Sequence, residues 1–208
     1  MSRPSKFIVL VYRMPAKPTA GRVAVWRLLK KAGAVYLQDS VCVFPDLASV
    51  RRDLAPVLER IDEKKGNYHL LPLRKLPEDE ERKVINLLRD QASKHYLEIV
   101  EDCEVNFTKE IEFEHFRENY TYEEAEEIRM DFEKLSMWFD RVQARDWFDA
   151  PHRDEAHKWL RRCERMLEGF EGKVFELHGK GDKTDDGDPK ARLRVVAGSE
   201  PGTASEAS

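Results

Sequence analysis

The spacing of apolar residues changes at Pro77, and that change restricts what this 208-residue chain can fold into. Ahead of it, apolar residues come in short runs of strand length, separated by Pro, Gly and Asp-Ser turns. Beyond it they recur every three or four residues over long stretches, the spacing of helices that bury one stripe. Strands need neighbouring strands and a covering layer, and helical stripes need other helices. The expected class is therefore α+β, a sheet-bearing part followed by a helical part.

The run FIVLVY (Phe7–Tyr12) reads as a central strand. Pro15 and Pro18 mark a turn, and Thr19 is placed to cap a helix reaching Ala32, with Val25, Leu28, Leu29 and Ala32 facing the sheet. Gly33 suits the helix end. AVYLQ and VCVFP are two strands around Asp39-Ser40. Leu47–Lys65 is an amphipathic helix ended by Gly66, and NYHLLPLRKL is a fourth strand that Pro72 interrupts or confines to an edge. The order β-α-β-β-α-β is that of the ferredoxin-like split unit, expected over residues 1–76.

Over residues 77–178 three helical stripes are expected to form an antiparallel helical region. The first runs from Val84 through Leu88, Ala92 and Tyr96 to Cys103 or beyond. The second occupies Tyr122–Arg145, and the third starts at Pro151 and includes Trp159, Cys163, Leu167 and Phe170. Residues 179–208 are rich in Gly, Asp, Lys and Ser and are expected to be a disordered tail.

Charge divides along the same line. Residues 1–75 hold 15 Lys/Arg against 6 Asp/Glu, whereas residues 76–170 hold 15 against 26, so a total of −4 conceals a basic front and an acidic middle. Such asymmetry points to a polyanion surface, to its masking by the acidic part, or to both. No apolar run approaches the roughly 20 residues that span a bilayer, and the six residues after MSRPSK make a strand rather than a signal peptide. Cys42, Cys103 and Cys163, an odd number at wide spacing among apolar neighbours, fit buried reduced thiols and a cytoplasmic location.

Arg27, Lys30 and Lys31 share one face of the first helix, and Arg13, Lys17 and Arg22 surround the turn before it. Six cations near one strand-helix junction fit nucleic-acid phosphates, which makes binding salt-dependent, or they form a solvated helix face. The same arginines also suit an oxyanion effector. Trp26, Tyr36 and Phe44 either stack on bases or fill the core, and the core is the usual fate of aromatics on such strands. Glu112-x-x-His115 and Asp154-x-x-His157 are spaced for one helix face, yet His115 falls in an irregular stretch and only one pair has the di-iron form, so no metal site is expected. Glutamates 123, 124, 126 and 127 complement a helix start. Arg145-Asp146 reads as a structural Arg–Asp contact at a helix end, and His69 as a structural strand residue. No nucleophile triad, phosphate-cradling loop, dinucleotide fingerprint, helix-turn-helix or zinc-finger pattern is present, so neither catalysis nor a cofactor is expected.

The run FIVLVYRMPAKPTAGRVAVWRLLKKAGAVYLQDSVCVFP resembles the N-terminal domain of the ChrB family of chromate-resistance proteins. LSMWFDRVQARDWF and CERMLEGF are similar to that family's second half, which extends the resemblance over roughly residues 7–178. It implies a bacterial cytoplasmic protein linked to chromate resistance, a regulator of the neighbouring efflux gene. Longer members add a C-terminal domain associated with sensing chromate, and here the tail stands where that domain would begin. A weaker resemblance is to the Cas2-like ferredoxin fold, shared with PaaX-type repressors. Its nucleases hold a metal with an Asp at the end of the first strand, where this chain has Tyr12-Arg13-Met14, which implies a binder rather than a cutter.

The expected function is a non-catalytic DNA-binding transcriptional regulator, with Arg13, Lys17, Arg22, Arg27, Lys30 and Lys31 on the phosphate backbone and homodimerisation through sheets or edges as a further expectation. The alternative is an interaction or stress protein of the same family, holding a protein partner or an oxyanion and no nucleic acid.

Overall fold

A computed structural model describes residues 7–179; of the tail expected at 179–208, residues 180–208 lie outside the described residues. The chain begins with strand β1 (Phe7–Arg13), helix α1 (Thr19–Lys31), strands β2 (Val35–Gln38) and β3 (Val41–Pro45), helix α2 (Ala48–Glu63) and strand β4 (Asn67–Leu73). The four strands form one antiparallel sheet in the order β2-β3-β1-β4. Helices then dominate: α3 (Glu78–Glu101), a π-helical segment (Asp102–Phe107), α4 (Thr108–Phe116), α5 (Tyr122–Gln143) and α6 (Arg153–His178). The protein is mixed α+β, as its two periods required.

Alternation along the strands sorts their side chains onto two faces. Leu10, Cys42 and Phe44 pack with Val25 and Leu29 of α1 and with Val50, Leu54, Val57 and Ile61 of α2. Phe7, Val35 and Val43 face the other way, against Val84 and Leu88 of α3 and against Phe148. Pro72, which has no N–H for a ladder, lies opposite Ile8 in the edge strand β4.

Local boundaries follow backbone chemistry, with some corrections to expectation. Thr19 does not cap α1; the cap position is Pro18, in extended conformation, and Thr19 is the first helical residue. Gly33, at φ +81°, does end α1 as expected: its N–H donates to Lys30 O at 3.1 Å, and Ala34 N–H donates to Leu29 O at 3.0 Å. After α2 the left-handed position is Lys65 (φ 57°) rather than Gly66. Gly66 is needed for space, since a Cβ there would sit 2.8 Å from Arg13 O and from Ile61 Cγ2.

The first helical stripe continues past Cys103 to Phe116 without a break. Through the π-helical turn, Cys103 O accepts from the Thr108 N–H and from its Oγ1, the latter at 2.8 Å, so the wider turn leaves no orphan carbonyl there. His115 therefore lies in α4, not in an irregular stretch. Thr121 caps α5 by accepting from the Glu124 N–H at 3.1 Å. The third helix starts at Arg153 rather than Pro151, because Asp149 and His152 take left-handed conformations in the preceding turn. Tyr96, Ile99, Cys103, Phe107 and Ile111 meet Ile128, Phe139 and Val142 of α5 and Ala156, Cys163, Leu167 and Phe170 of α6 in one apolar cluster. Trp147 and Phe148, just beyond α5, carry the contact from this helical part to the sheet, where Phe148 stacks on Phe7 with ring centroids 6.2 Å apart.

Candidate functional site

β1 leaves the sheet at Tyr12-Arg13-Met14, beside the first turn of α1 and the β2–β3 turn, where Ser40 (φ 62°) accepts from the Tyr12 N–H at 2.9 Å. These elements surround a cavity of about 400 Å³, lined by Tyr12, Arg13, Met14, Thr19, Arg22, Val23, Trp26 and Ser40. Tyr12 of this lining pairs with Tyr36, their Oη atoms 3.3 Å apart, and burial raises the pKa of both above the ordinary tyrosine value. Behind them the Cys42 thiol is pushed up to about 12 by burial, so it is protonated and unreactive at neutral pH.

The six candidate cations do not converge on one point. Arg13 and Arg22 line the cavity. Lys17 is exposed in the turn between them, and Arg27 is exposed on α1. Lys30 lies with its Nζ 5.5 Å from the centroid of the Trp26 ring. Lys31 instead lines a second cleft of about 660 Å³ with Asp53, Trp138, Arg141, Arg145 and Trp147. A helix rise of about 1.5 Å per residue puts Arg22 and Lys31 about 14 Å apart along α1, too far to share one phosphate. None of the six is in an ion pair among the described residues, whereas Arg51, Arg129 and Arg153 each hold a carboxylate.

Trp26 departs from its expected place in the core. Phe44 is fully buried and Tyr36 half-buried, but the Trp26 side chain is 48% exposed. The reason is helical phase: the buried stripe of α1 is Gly21, Val25 and Leu29, and Trp26 points away from it, next to the exposed Val23.

Arg145 makes no Arg–Asp contact of the kind expected at the end of α5. Its Nη1 donates to Lys30 O and Lys31 O at 2.9 Å each, and its Nε donates to Arg141 O at 2.8 Å. Burial, and then the neighbouring Arg141, lower its pKa from the usual guanidinium value. Asp146 instead accepts from Tyr96 Oη at 3.2 Å and from the Ala150 N–H at 2.8 Å. The last carbonyls of a helix lack intrahelical partners, and here the arginine covers two of them.

The candidate metal pairs are not brought together. His115 Nδ1 lies 3.0 Å from Tyr120 Oη with its ring against Phe170, and the His157 ring stacks on Phe139. Burial, and then Lys173, lower the His115 pKa. Among the described residues no group of three or more His, Cys, Asp and Glu is placed to hold a metal ion. All three cysteines are unbridged and buried, and contact with Cys163 together with burial raises the Cys103 pKa. His69, expected as a structural strand residue, lies exposed in the edge strand opposite Val11.

These features describe a mixed α+β protein with a cation-bearing helix beside a small cavity at one end of its sheet. No helix among the described residues is long and apolar enough to cross a membrane. The family model described as Protein ChrB, N-terminal, matches residues 22–181, from the first turns of α1 past the end of α6. The chain belongs to that family, and this membership associates it with chromate resistance. A comparison with curated proteins finds no match.

Proposed function

We propose that this chain is a non-catalytic regulatory protein of chromate resistance that holds DNA by its phosphate backbone, along α1 and the end of β1. The observation that carries this reading is the absence of ion-pair partners, among the described residues, for Arg13, Lys17, Arg22, Arg27, Lys30 and Lys31. In a chain with more acidic than basic residues, a surface whose six cations hold no carboxylate among the described residues is suited to an external polyanion. The four-stranded antiparallel sheet with helices between its strands supports reading the front of the chain as a ferredoxin-like split unit, and by the resemblance to nucleases of that fold Arg13 takes the place of their acidic metal ligand. That supports binding without cleavage.

The test is the salt dependence of binding to a duplex from the gene's own upstream region, followed by fluorescence anisotropy. Binding should weaken steeply between about 50 and 200 mM salt, and Arg13→Ala with Arg22→Ala should lower the log–log slope by about one each. A chain that shows no salt-dependent retardation of DNA sinks the reading and leaves a protein or oxyanion partner for the same cations.

A further inference from the structure

We infer that the cavity beside Trp26 takes one unpaired nucleotide, its base on the indole and its phosphate between Arg13 and Arg22. The inference rests on the nucleic-acid reading above and sharpens it from backbone contact to capture of a base outside the stack.

Phosphate contact alone explains the cations but not the indole. Trp26 is 48% exposed on a helix whose apolar stripe is otherwise buried, and Val23, one turn earlier, is exposed beside it. Both side chains line the same cavity as Arg13 and Arg22. The volume of about 400 Å³ falls in the range of roughly 300–1,000 Å³ found for small-ligand sites. Lys30 Nζ sits over one face of the ring at 5.5 Å from its centroid, which leaves the other face for a base and sets a charge beside it for the next phosphate. An aromatic face flanked by unpaired cations is how proteins hold single strands, because every base has a stackable face.

An intact duplex cannot use this geometry. Its bases are stacked on one another, and only their edges reach the grooves. A nucleotide enters the cavity only from a single strand, a bulge or a base turned out of the helix. The remaining polar lining, Thr19, Ser40 and Tyr12, offers hydroxyls rather than a donor–acceptor pattern for one base, so the site is indifferent to base identity.

The experiment uses the full chain and four labelled probes of one sequence: a DNA single strand, the perfect duplex, the duplex with one bulged nucleotide, and an RNA strand. The DNA strand and the bulged duplex should bind about tenfold more tightly than the perfect duplex. Trp26→Ala should remove that tenfold and leave perfect-duplex affinity within about twofold, while Trp26→Phe keeps most of it. Equal binding of the RNA strand supports the same stacking site. If the perfect duplex binds as well as the single strand and Trp26→Ala changes nothing, the inference falls while the phosphate reading stands. If none of the probes binds, the phosphate reading itself has failed. If Trp26→Ala instead changes the oligomeric state on gel filtration, the indole belongs to a protein interface and the inference is overturned.

Discussion

Arg145 Nη1 donates a 2.9 Å hydrogen bond to the carbonyl oxygen of Lys31, 114 residues earlier in the chain. The same nitrogen also reaches Lys30 O, so one guanidinium closes the carboxyl end of α1. That end carries the negative pole of the helix, which the half-buried cation complements. The helix bearing the candidate binding surface is thus anchored by the helical part, through the turn that follows α5.

Replacing Arg145 with Met should therefore destabilise the whole chain, not only its helical part. Hydrogen bonds from a charged donor are worth about 1.5–3 kcal/mol, and the exposed rim of this site places the loss near the lower end. For a chain of this size that lowers the melting temperature by about 3–6 °C. Arg145→Lys should recover little, since an ammonium lacks the planar fork that serves Lys30 O, Lys31 O and Arg141 O together. Thermal unfolding followed by circular dichroism decides it. A melting temperature unchanged by Met would mean the contact contributes nothing.

The glycines of this chain should respond oppositely to the same change. Gly33 has φ +81°, and a Cβ there would lie 3.0 Å from Trp147 Cη2 and 3.1 Å from Arg145 Cδ. Gly33→Ala should cost about 1–2 kcal/mol for the left-handed backbone alone, before the displaced Trp147 is counted. Gly169 is exposed within α6, and a Cβ there meets nothing within 4 Å. Gly169→Ala should add about 0.5–1 kcal/mol by its better helix propensity. Urea midpoints of the two variants should move in opposite directions.

Phe148 is another link between the parts. It is almost wholly buried, stacked on Phe7 and packed with Val35, Val43, Val84 and Leu88. Phe148→Ala should cost about 3–5 kcal/mol, the largest loss expected from a single truncation at this junction. If the two parts then unfold in separate transitions, Phe148 is what couples them. A single transition at the wild-type midpoint would show that it does not.

How far the sequence was legible varied with the kind of interaction. Strands and helices were readable because each carries its own period and its own punctuation, as Gly33 and Pro72 illustrate. Boundaries slipped where the backbone, not the side chain, decided: Pro18 took the cap position of α1 from Thr19, and His152 pushed the start of α6 past Pro151. Trp26 was misplaced because aromatic residues are usually buried, while its own phase on α1, one residue after Val25, already pointed outward. The Arg145 contact was not legible at all. A side chain that caps a carbonyl 114 residues away leaves no local pattern, and the adjacent Asp146 offered a plausible but wrong partner.

The acidic groove between α4 and α5 yields a stability effect with a definite pH sign. Burial raises the Glu110 carboxyl above its ordinary pKa, and Asp131, Glu124, Glu114 and Glu127 add to the rise. Glu124 is raised as well, by burial and then by Glu114 and Glu127. Of the cations on the facing wall, Lys134 and Arg141, Lys134 is engaged with Asp131 at 2.5 Å. A carboxyl whose pKa is higher in the folded than in the unfolded chain binds its proton more tightly when folded. Stability therefore falls as pH rises through the raised pKa, and the penalty is absent below the ordinary glutamate value of about 4.3. Glu110→Gln removes the charge, so at pH 7 the variant should be more stable than the wild type. The gain should be no more than about 0.5 kcal/mol, because solvent screens this partly exposed groove. It should shrink steadily between pH 7 and pH 4 as the wild-type carboxyl takes up its proton. Urea unfolding across that range measures it, and a variant that is less stable at pH 7, or whose difference from wild type ignores pH, would show that Glu110 is not under strain.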